Sequence, residues 1–318
     1  MAELRAETVM PDSAARAAID KEIVAYNGEQ AVVAASVRNR LPLFVGGALA
    51  AAAAVAAFAI QFDPDRDWLS TPMIFVYFFG VMAAFFAWDQ AVKPAKLLQQ
   101  GLRDRILPPL FGFLTDVRYA HGGNPASGDH LPKEAIGSYN RTTIGDLVAG
   151  RHDGLDLEIF EATYTLKSSK SSSTQFKGVV LAVSLQHAFP GILVAVRKSG
   201  DVTRWFREMF SGKLETIDFA NPAVGEAFEV RTSNGEAARK LVDGSLAKAL
   251  AYLRDEWPDG QPRLALNERS GFVLLPTTKD FFELPKIGTP LHYDGHIAPM
   301  SHELARLVAL AALVANIR

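Results

Sequence analysis

The chain has no cysteine. That excludes a disulfide framework and agrees with a main body held in a reducing compartment. An excess of positive charge is also missing, since 33 lysines and arginines face 35 acids for a formal net charge of −2. Without a basic groove carrying interleaved aromatics, nothing points to nucleic acid as a partner. No repeat of solenoid length and no Pro-rich or Gln-rich tract occurs in the 318 residues. Catalytic signatures are absent too: there is no GxSxG elbow and no GxGxxG after a strand. Gly123 and Gly128 have P-loop spacing, but Asp129 stands where the phosphate-binding lysine is required. Ser245 and Lys248 form an SxxK without its SDN and KTG companions. The reading therefore leans away from an enzyme and assigns no cofactor.

The most informative absence is of charge from two stretches. Leu41 to Phe62 reads LPLFVGGALAAAAAVAAFAIQF and Thr71 to Trp88 reads TPMIFVYFFGVMAAFFAW, neither with a charged side chain. Each is close to the ~20 residues that a helix needs to cross a hydrocarbon core of ~30 Å. Only intrasegment hydrogen bonds satisfy a backbone in lipid, so the pair is expected to form a transmembrane helical hairpin. Gly46, Gly47 and the alanines should give the first helix a smooth face for the bulkier second one.

Charge sets the expected orientation. Arg38 and Arg40 precede the first span, and Lys93, Lys96, Arg103 and Arg105 follow the second. The intervening loop has Arg66 against Asp63, Asp65 and Asp67. Lys and Arg are retained on the cytoplasmic side, so both termini should be cytoplasmic in a multi-pass protein of a bacterial inner (plasma) membrane. The expected layout is a helical lead-in over 1–40, broken at Asn27-Gly28, the hairpin over 41–88, a helical stalk and loop over 89–135, and a cytoplasmic α+β domain over 136–318. Pro94 should bend the stalk and Pro108-Pro109 should end it.

From Thr142 the pattern turns to a period of two residues. GDLVAGRHDG and LDLEIFEATYTLKS make a hairpin around Asp153-Gly154. The phase slip at Ile159–Phe160 marks a bulge or a strand buried on both faces. KSSKSSSTQ is a flexible polar loop, after which FKGVVLAVSL and GILVAVRK read as separate strands around a turn at His187–Gly191. Asp201 to Gly212 suggests a helical turn, and AFEVRTSNG a strand. EAARKLVDGSLAKALAYLRDEW reads as one helix, RLALNERSGFVLLP as a hairpin, DFFEL as a further strand, and SHELARLVALAALVANI as a packed amphipathic helix. The class is α+β: a transmembrane hairpin followed by a largely antiparallel sheet and two packed helices.

The stretches GDLVAGRHDGLDLEIFEATY, TQFKGVVLAVSL and FEVRTSNGEAARKLV resemble an uncharacterised bacterial family of two-span membrane proteins with a cytoplasmic domain of unknown function. That resemblance implies the same architecture and transfers no activity, cofactor or binding residue.

Candidate sites follow from side-chain chemistry. His292, Asp294 and His296, with His302 and Glu303 nearby, make a metal candidate, although Gly295, Pro290 and Pro299 argue against a ligand-presenting helix. Glu158 and Glu161 are a carboxylate pair only if the strand slips, and are otherwise edge salt-bridge partners. Lys167, Lys170 and Lys177, with Arg197 and Lys198 on a neighbouring strand, are candidates for a membrane-facing surface, because a cation held near an anionic leaflet gains roughly 1 kcal/mol. Arg204, Trp205, Phe206, Arg207 and Phe210 form a second aromatic and basic cluster. The expected function is a membrane-anchored binding or scaffolding module. The alternatives are an enzyme with its site near the C-terminal His/Asp loop and a sensor of anionic lipid. Expected partners are the bilayer, other membrane or cytoplasmic proteins, and further copies of the chain.

Overall fold

The computed structural model describes residues 9–62, 67–198, 214–279, 281–282, 285 and 288–318. The 201–212 segment with its aromatic and basic cluster, and the acids and Arg66 of the inter-span loop up to residue 66, lie outside the described residues. The chain forms two compact units, one of residues 16–107 with 284–296, the other of residues 1–15, 108–283 and 297–318.

The first unit is helical. Helix α1 runs from Ser13 to Ala59, and Asp12 Oδ1 accepts the Ala15 N–H at 2.7 Å just before it, as an N-cap should. The break expected at Asn27-Gly28 does not occur. Asn27 turns its amide outward instead, where Nδ2 donates to the Leu291 carbonyl and Oδ1 accepts the Leu291 N–H, both at 2.8 Å. The lead-in is thus continuous with the first span and passes through Pro42. Helix α2 runs from Thr71 to Leu110, through Pro94 and also through Pro108-Pro109, and ends one residue after that pair. The close approach of the two helices is at Gly80, where a Cβ would come within 2.8 Å of the Ala52 Cβ, whereas Gly46 and Gly47 have open space. The alanine face is used as expected, but the glycine that admits it belongs to the second helix.

The second unit is an antiparallel sheet with short and long helices. Its strands are β1 (Thr115–His121), β2 (Arg141–His152), β3 (Leu155–Lys167), β4 (Ser172–Arg197), β5 (Glu215–Ile217), β6 (Phe228–Thr232) and β7 (Arg263–Pro276). They are ordered β1-β2-β3-β4-β6-β5, with β7 also paired to β4. The helices are α3 (Lys133–Ile136), α4 (Pro222–Ala227), α5 (Gly235–Arg239), α6 (Ser245–Glu256) and α7 (Ala298–Ala315). The α+β class and the antiparallel sheet are as expected.

Strand β4 differs from expectation. His187–Gly191 is no turn: the chain stays extended from Ser172 to Arg197, pairing with β3 along its first half and β6 along its second. Strand β7 lies beside it for 13 register pairs, so RLALNERSGFVLLP is one strand and not a hairpin. Glu268, in the left-handed region at φ 52°, sits opposite Phe189 where the register of both strands shifts. The long helix expected after β6 is two, α5 and α6, divided at Lys240–Gly244. Phe281 and Phe282 form a turn, not a strand.

Both faces of the sheet centre are buried. One row across four strands is Val148, Ile159, Leu181 and Val273, and the next is Leu147, Phe160, Val180 and Leu274. Register between β3 and β4 is unbroken from Leu157 to Tyr164, so the phase slip at Ile159–Phe160 reflects burial on both sides. Helix α7 packs on β4 with eleven buried residues, among them Leu304, Leu307, Val308 and Ala311. Residues 131–136 cover the opposite face around Phe160, Tyr164 and Phe272. Burial raises the Tyr164 phenol above its usual range. It lowers the Arg263 guanidinium to about 10, which leaves it charged while Nη1 donates to the Ala135 carbonyl at 2.7 Å.

Candidate functional site

The hairpin β3–β4 carries the first three candidate lysines. Its turn is tight, with the Ser168 N–H donating to the Ser171 carbonyl at 2.8 Å. Asn140 braces it from β2, since Nδ2 donates to the Lys167 carbonyl at 2.8 Å and Oδ1 accepts the Lys167 N–H at 2.9 Å. Lys167, Lys170 and Lys177 are all exposed.

Register explains what surrounds them. On the face that buries Ile159 and Leu181, the pleat repeats every second residue. Two steps further along, the row has become Thr143, Thr163 and Lys177. Thr277 extends it beyond β7, its N–H donating to the Lys177 carbonyl at 3.0 Å. An apolar face thus turns into hydroxyls and a cation over about 13 Å of strand. A hollow of about 200 Å³ opens there, lined by Thr143, Glu161, Thr163, Lys177, Thr277 and Lys279 among others. Glu161 forms its back wall: Oε1 accepts the Phe281 N–H at 2.6 Å, and a Cβ on Gly145 would meet Oε2 at 2.7 Å. Lys279 is held by Thr277, whose Oγ1 accepts the Lys279 N–H at 3.1 Å. Arg141, exposed at the start of β2, pairs with Thr165 one step further out.

Arg197 and Lys198 do not join this group. They lie at the far end of the same strand, 20 residues beyond Lys177. The Arg197 Nη1 donates to the Trp257 carbonyl at 2.7 Å, and Lys198 Nζ donates to the Gly225 carbonyl. The five cations expected on one surface therefore divide between two ends of β4. Arg141 and Lys279 stand beside Lys167, Lys170 and Lys177 in their place. Sequence reasoning passed over both, and the TTK run at 277–279, directly after an apolar strand, is the signal for Lys279.

A larger groove of about 470 Å³ opens elsewhere on the sheet unit. Glu158 holds one wall, its carboxylate accepting the Ala126 N–H at 3.1 Å, the Ser127 N–H at 2.9 Å and the Ser127 hydroxyl at 2.6 Å. Asn267 Nδ2 pins the same loop through the His130 carbonyl at 2.8 Å. One of the groove's cations is matched within it, Arg151 Nε donating to Asp156 at 2.8 Å. Glu158 and Glu161 thus each serve backbone N–H groups from opposite faces of β3, and do not form a pair.

The C-terminal histidine loop is also divided. Asp294 pairs with Arg16 at 3.4 Å, and Arg16 stacks over Tyr293 at 4.5 Å. His296 Nδ1 accepts the His292 N–H at 3.1 Å, and the two rings are 6.3 Å apart. Among the described residues, no three His, Asp or Glu side chains come together as metal ligands. The metal candidate His292, Asp294 and His296 is not assembled as a ligand set: the two histidines stack on each other, while Asp294 pairs with Arg16. Elsewhere, His121 Nδ1 lies 2.6 Å from the buried Asp146, and His152 Nδ1 lies 3.1 Å from the Phe113 carbonyl.

Comparison with curated proteins gives no match. Among solved structures, the chain is similar to the crystal structure of the mycobacterial trehalose monomycolate transport factor A, TtfA, at 12% identity and a TM-score of 0.35, covering 62% of this chain and 86% of that one. The expected resemblance to an uncharacterised family holds for the larger part of the sheet unit: residues 174–316, from the start of β4 to the end of α7, match the family described as "Protein of unknown function (DUF3137)".

Proposed function

We propose that the protein is a membrane-anchored binding or scaffolding module whose sheet unit lies on the cytoplasmic side. One observation carries the anchoring: α1 and α2 are long and apolar enough to cross a membrane, and their most apolar windows are only 6% and 11% buried. Phe75, Phe78, Phe79, Phe85 and Phe86 are all exposed on α2, a surface that water disfavours and a hydrocarbon core accepts. A third helix, Tyr293–Ala315, also passes by length and composition, but its window is 61% buried, which supports a packed role for α7 and two spans, over 41–62 and 71–88. The Lys and Arg flanks favour cytoplasmic termini and an inner-membrane location. The test is extraction of isolated membranes with alkaline carbonate and with high salt. The protein should stay in the pellet under both, and release by carbonate would refute the anchoring.

A second reading concerns the sheet unit itself. The exposed Lys167, Lys170 and Lys177 beside Arg141 and Lys279 favour contact with an anionic surface. Vesicles containing phosphatidylglycerol should retain the protein more strongly at low salt than at high salt, because such attraction acts within ~8–10 Å. Equal retention on neutral vesicles would exclude it. The pairing of Asp294 with Arg16, and not with the two histidines, favours the binding reading over an enzyme centred on that loop.

A further inference from the structure

We propose that the hollow between β3, β4 and the segment after β7 binds a phosphate group. The proposal rests on the reading of this end of the sheet as a binding surface, and adds to it a defined site and a ligand chemistry. The donors come first. Thr143, Thr163 and Thr277 bring hydroxyls to one row, Lys177 brings an ammonium to the same row, and Lys279 lies two residues beyond Thr277. Opposed side chains on neighbouring strands stand ~5 Å apart at Cβ, so the Thr163 hydroxyl and the long Lys177 side chain can meet a common oxyanion, while Thr143 and Thr277, three strand spacings (~14 Å) apart, bracket it on either side. Charge-assisted bonds from lysine and neutral bonds from threonine match the several acceptor oxygens of a phosphate.

Glu161 is the apparent obstacle, a carboxylate on the back wall. Its Oε1 already accepts the Phe281 N–H at 2.6 Å and the Phe282 N–H at 3.4 Å. Those bonds turn Oε1 toward the backbone of the turn, and Lys177 with Lys279 outnumber this one carboxylate in the lining of the hollow. Size supports a group and not a whole molecule, because at about 200 Å³ the hollow is smaller than the ~300–1,000 Å³ of pockets that enclose small ligands. The larger groove offers a contrast. Its Asp116, Asp156 and Glu158 outnumber Arg118 and Arg151, so an anion prefers the smaller site.

Phosphate can reach the hollow as a free ion or soluble ester, or as a lipid headgroup, and two arms separate these sources. The full chain is reconstituted in neutral phosphatidylcholine nanodiscs, and binding of inorganic phosphate and of glycerol 3-phosphate is measured by calorimetry. In parallel, the same nanodiscs are prepared with phosphatidic acid, and protection of Lys177 and Lys279 from amine acetylation is read by mass spectrometry. Saturable binding in either arm is expected, weakened about fivefold for each of Lys177→Gln and Lys279→Gln. Thr163→Val should weaken it too, while Lys170→Gln at the turn tip should leave binding of the two soluble phosphates within about twofold. Melting curves of each variant confirm that it folds. Soluble ligands binding alone identifies a free phosphate, and protection by phosphatidic acid alone identifies a headgroup. Lack of binding in both arms overturns the proposal, as does a loss of soluble-phosphate binding that Lys170→Gln reproduces in full. If vesicle binding depends on Lys167 and Lys170 while Lys279→Gln and Thr163→Val change nothing, the surface reading survives and the site does not.

Discussion

Phenylalanine is treated in opposite ways by the two units of this chain. Phe79 and Phe86 of α2 are each 65% exposed, whereas Phe160 and Phe272 of the sheet are fully buried. Burying a phenylalanine removes apolar area from water at ~25 cal/mol per Å² whichever solvent receives it. The sheet makes that solvent itself by stacking α7 and the 131–136 segment on its faces. The helices make none, and under the membrane-anchored reading their phenylalanines meet an apolar phase outside the molecule. One amino acid thus reports two solvents.

The contrast can be broken at single residues, beginning with the largest effect. Leu181→Asp places a charge in the centre of a row with Val148, Ile159 and Val273. Burying an unpaired charge costs several kcal/mol or more, so the sheet unit should lose its cooperative melting and become protease-sensitive. Protease resistance equal to the wild type would mean that the row is not a core.

A matched pair of truncations sharpens the comparison. Phe272→Ala should cost the sheet unit about 3–5 kcal/mol. Phe79→Ala should leave the same melting transition within about 0.5 kcal/mol, because a side chain 65% exposed on α2 contributes nothing to that core. The two are read by thermal denaturation in one detergent, and similar losses would erase the distinction between the units.

The smallest effect concerns pH. Burial raises the Tyr164 phenol above its ordinary value, so the folded state keeps its proton where the unfolded state loses it. The stability this contributes is complete below about pH 10 and falls as the pH rises beyond it. Arg263, lowered to about 10 by burial, acts with the opposite sign in the same window, so the difference between wild type and Tyr164→Phe isolates the tyrosine. Tyr164→Phe should flatten the alkaline decline measured by denaturant melts from pH 8 to 11. A variant that declines as steeply as wild type would assign the loss elsewhere.

Local signals in the sequence were readable and long-range ones were not. Asp153-Gly154, at φ 48° and 80°, turns β2 into β3 as a two-residue hairpin loop. That turn is decided by neighbouring residues, as are the two charge-free helical runs, whereas Pro108-Pro109 end α2 only one residue later, at Leu110. Gly191 and Gly271 misled because they look like turn residues and serve packing instead. A Cβ on Gly191 would meet Ser233 Oγ at 2.5 Å, and one on Gly271 would meet Val314 Cγ1 at 2.6 Å. Both glycines let other elements approach the extended β4 and β7, which nothing nearby in sequence can reveal. Strand β1 was missed for a different reason: TDVRYAH is an edge strand, exposed along most of its length and without apolar alternation. The hollow was half legible. Lys177 stood out by charge, but Thr143, Thr163, Thr277 and Lys279 become its neighbours only through strand register.

The central claim is that residues 41–62 and 71–88 cross a membrane with the sheet unit inside. A chain without cysteine suits its most direct test, labelling of single introduced cysteines by an impermeant maleimide. In intact spheroplasts Leu69→Cys, between the spans and 77% exposed, should be labelled at once, while Ser168→Cys at the β3–β4 turn should react only after the membrane is opened. Labelling of Ser168→Cys in intact cells, or protection of Leu69→Cys until lysis, would contradict the account.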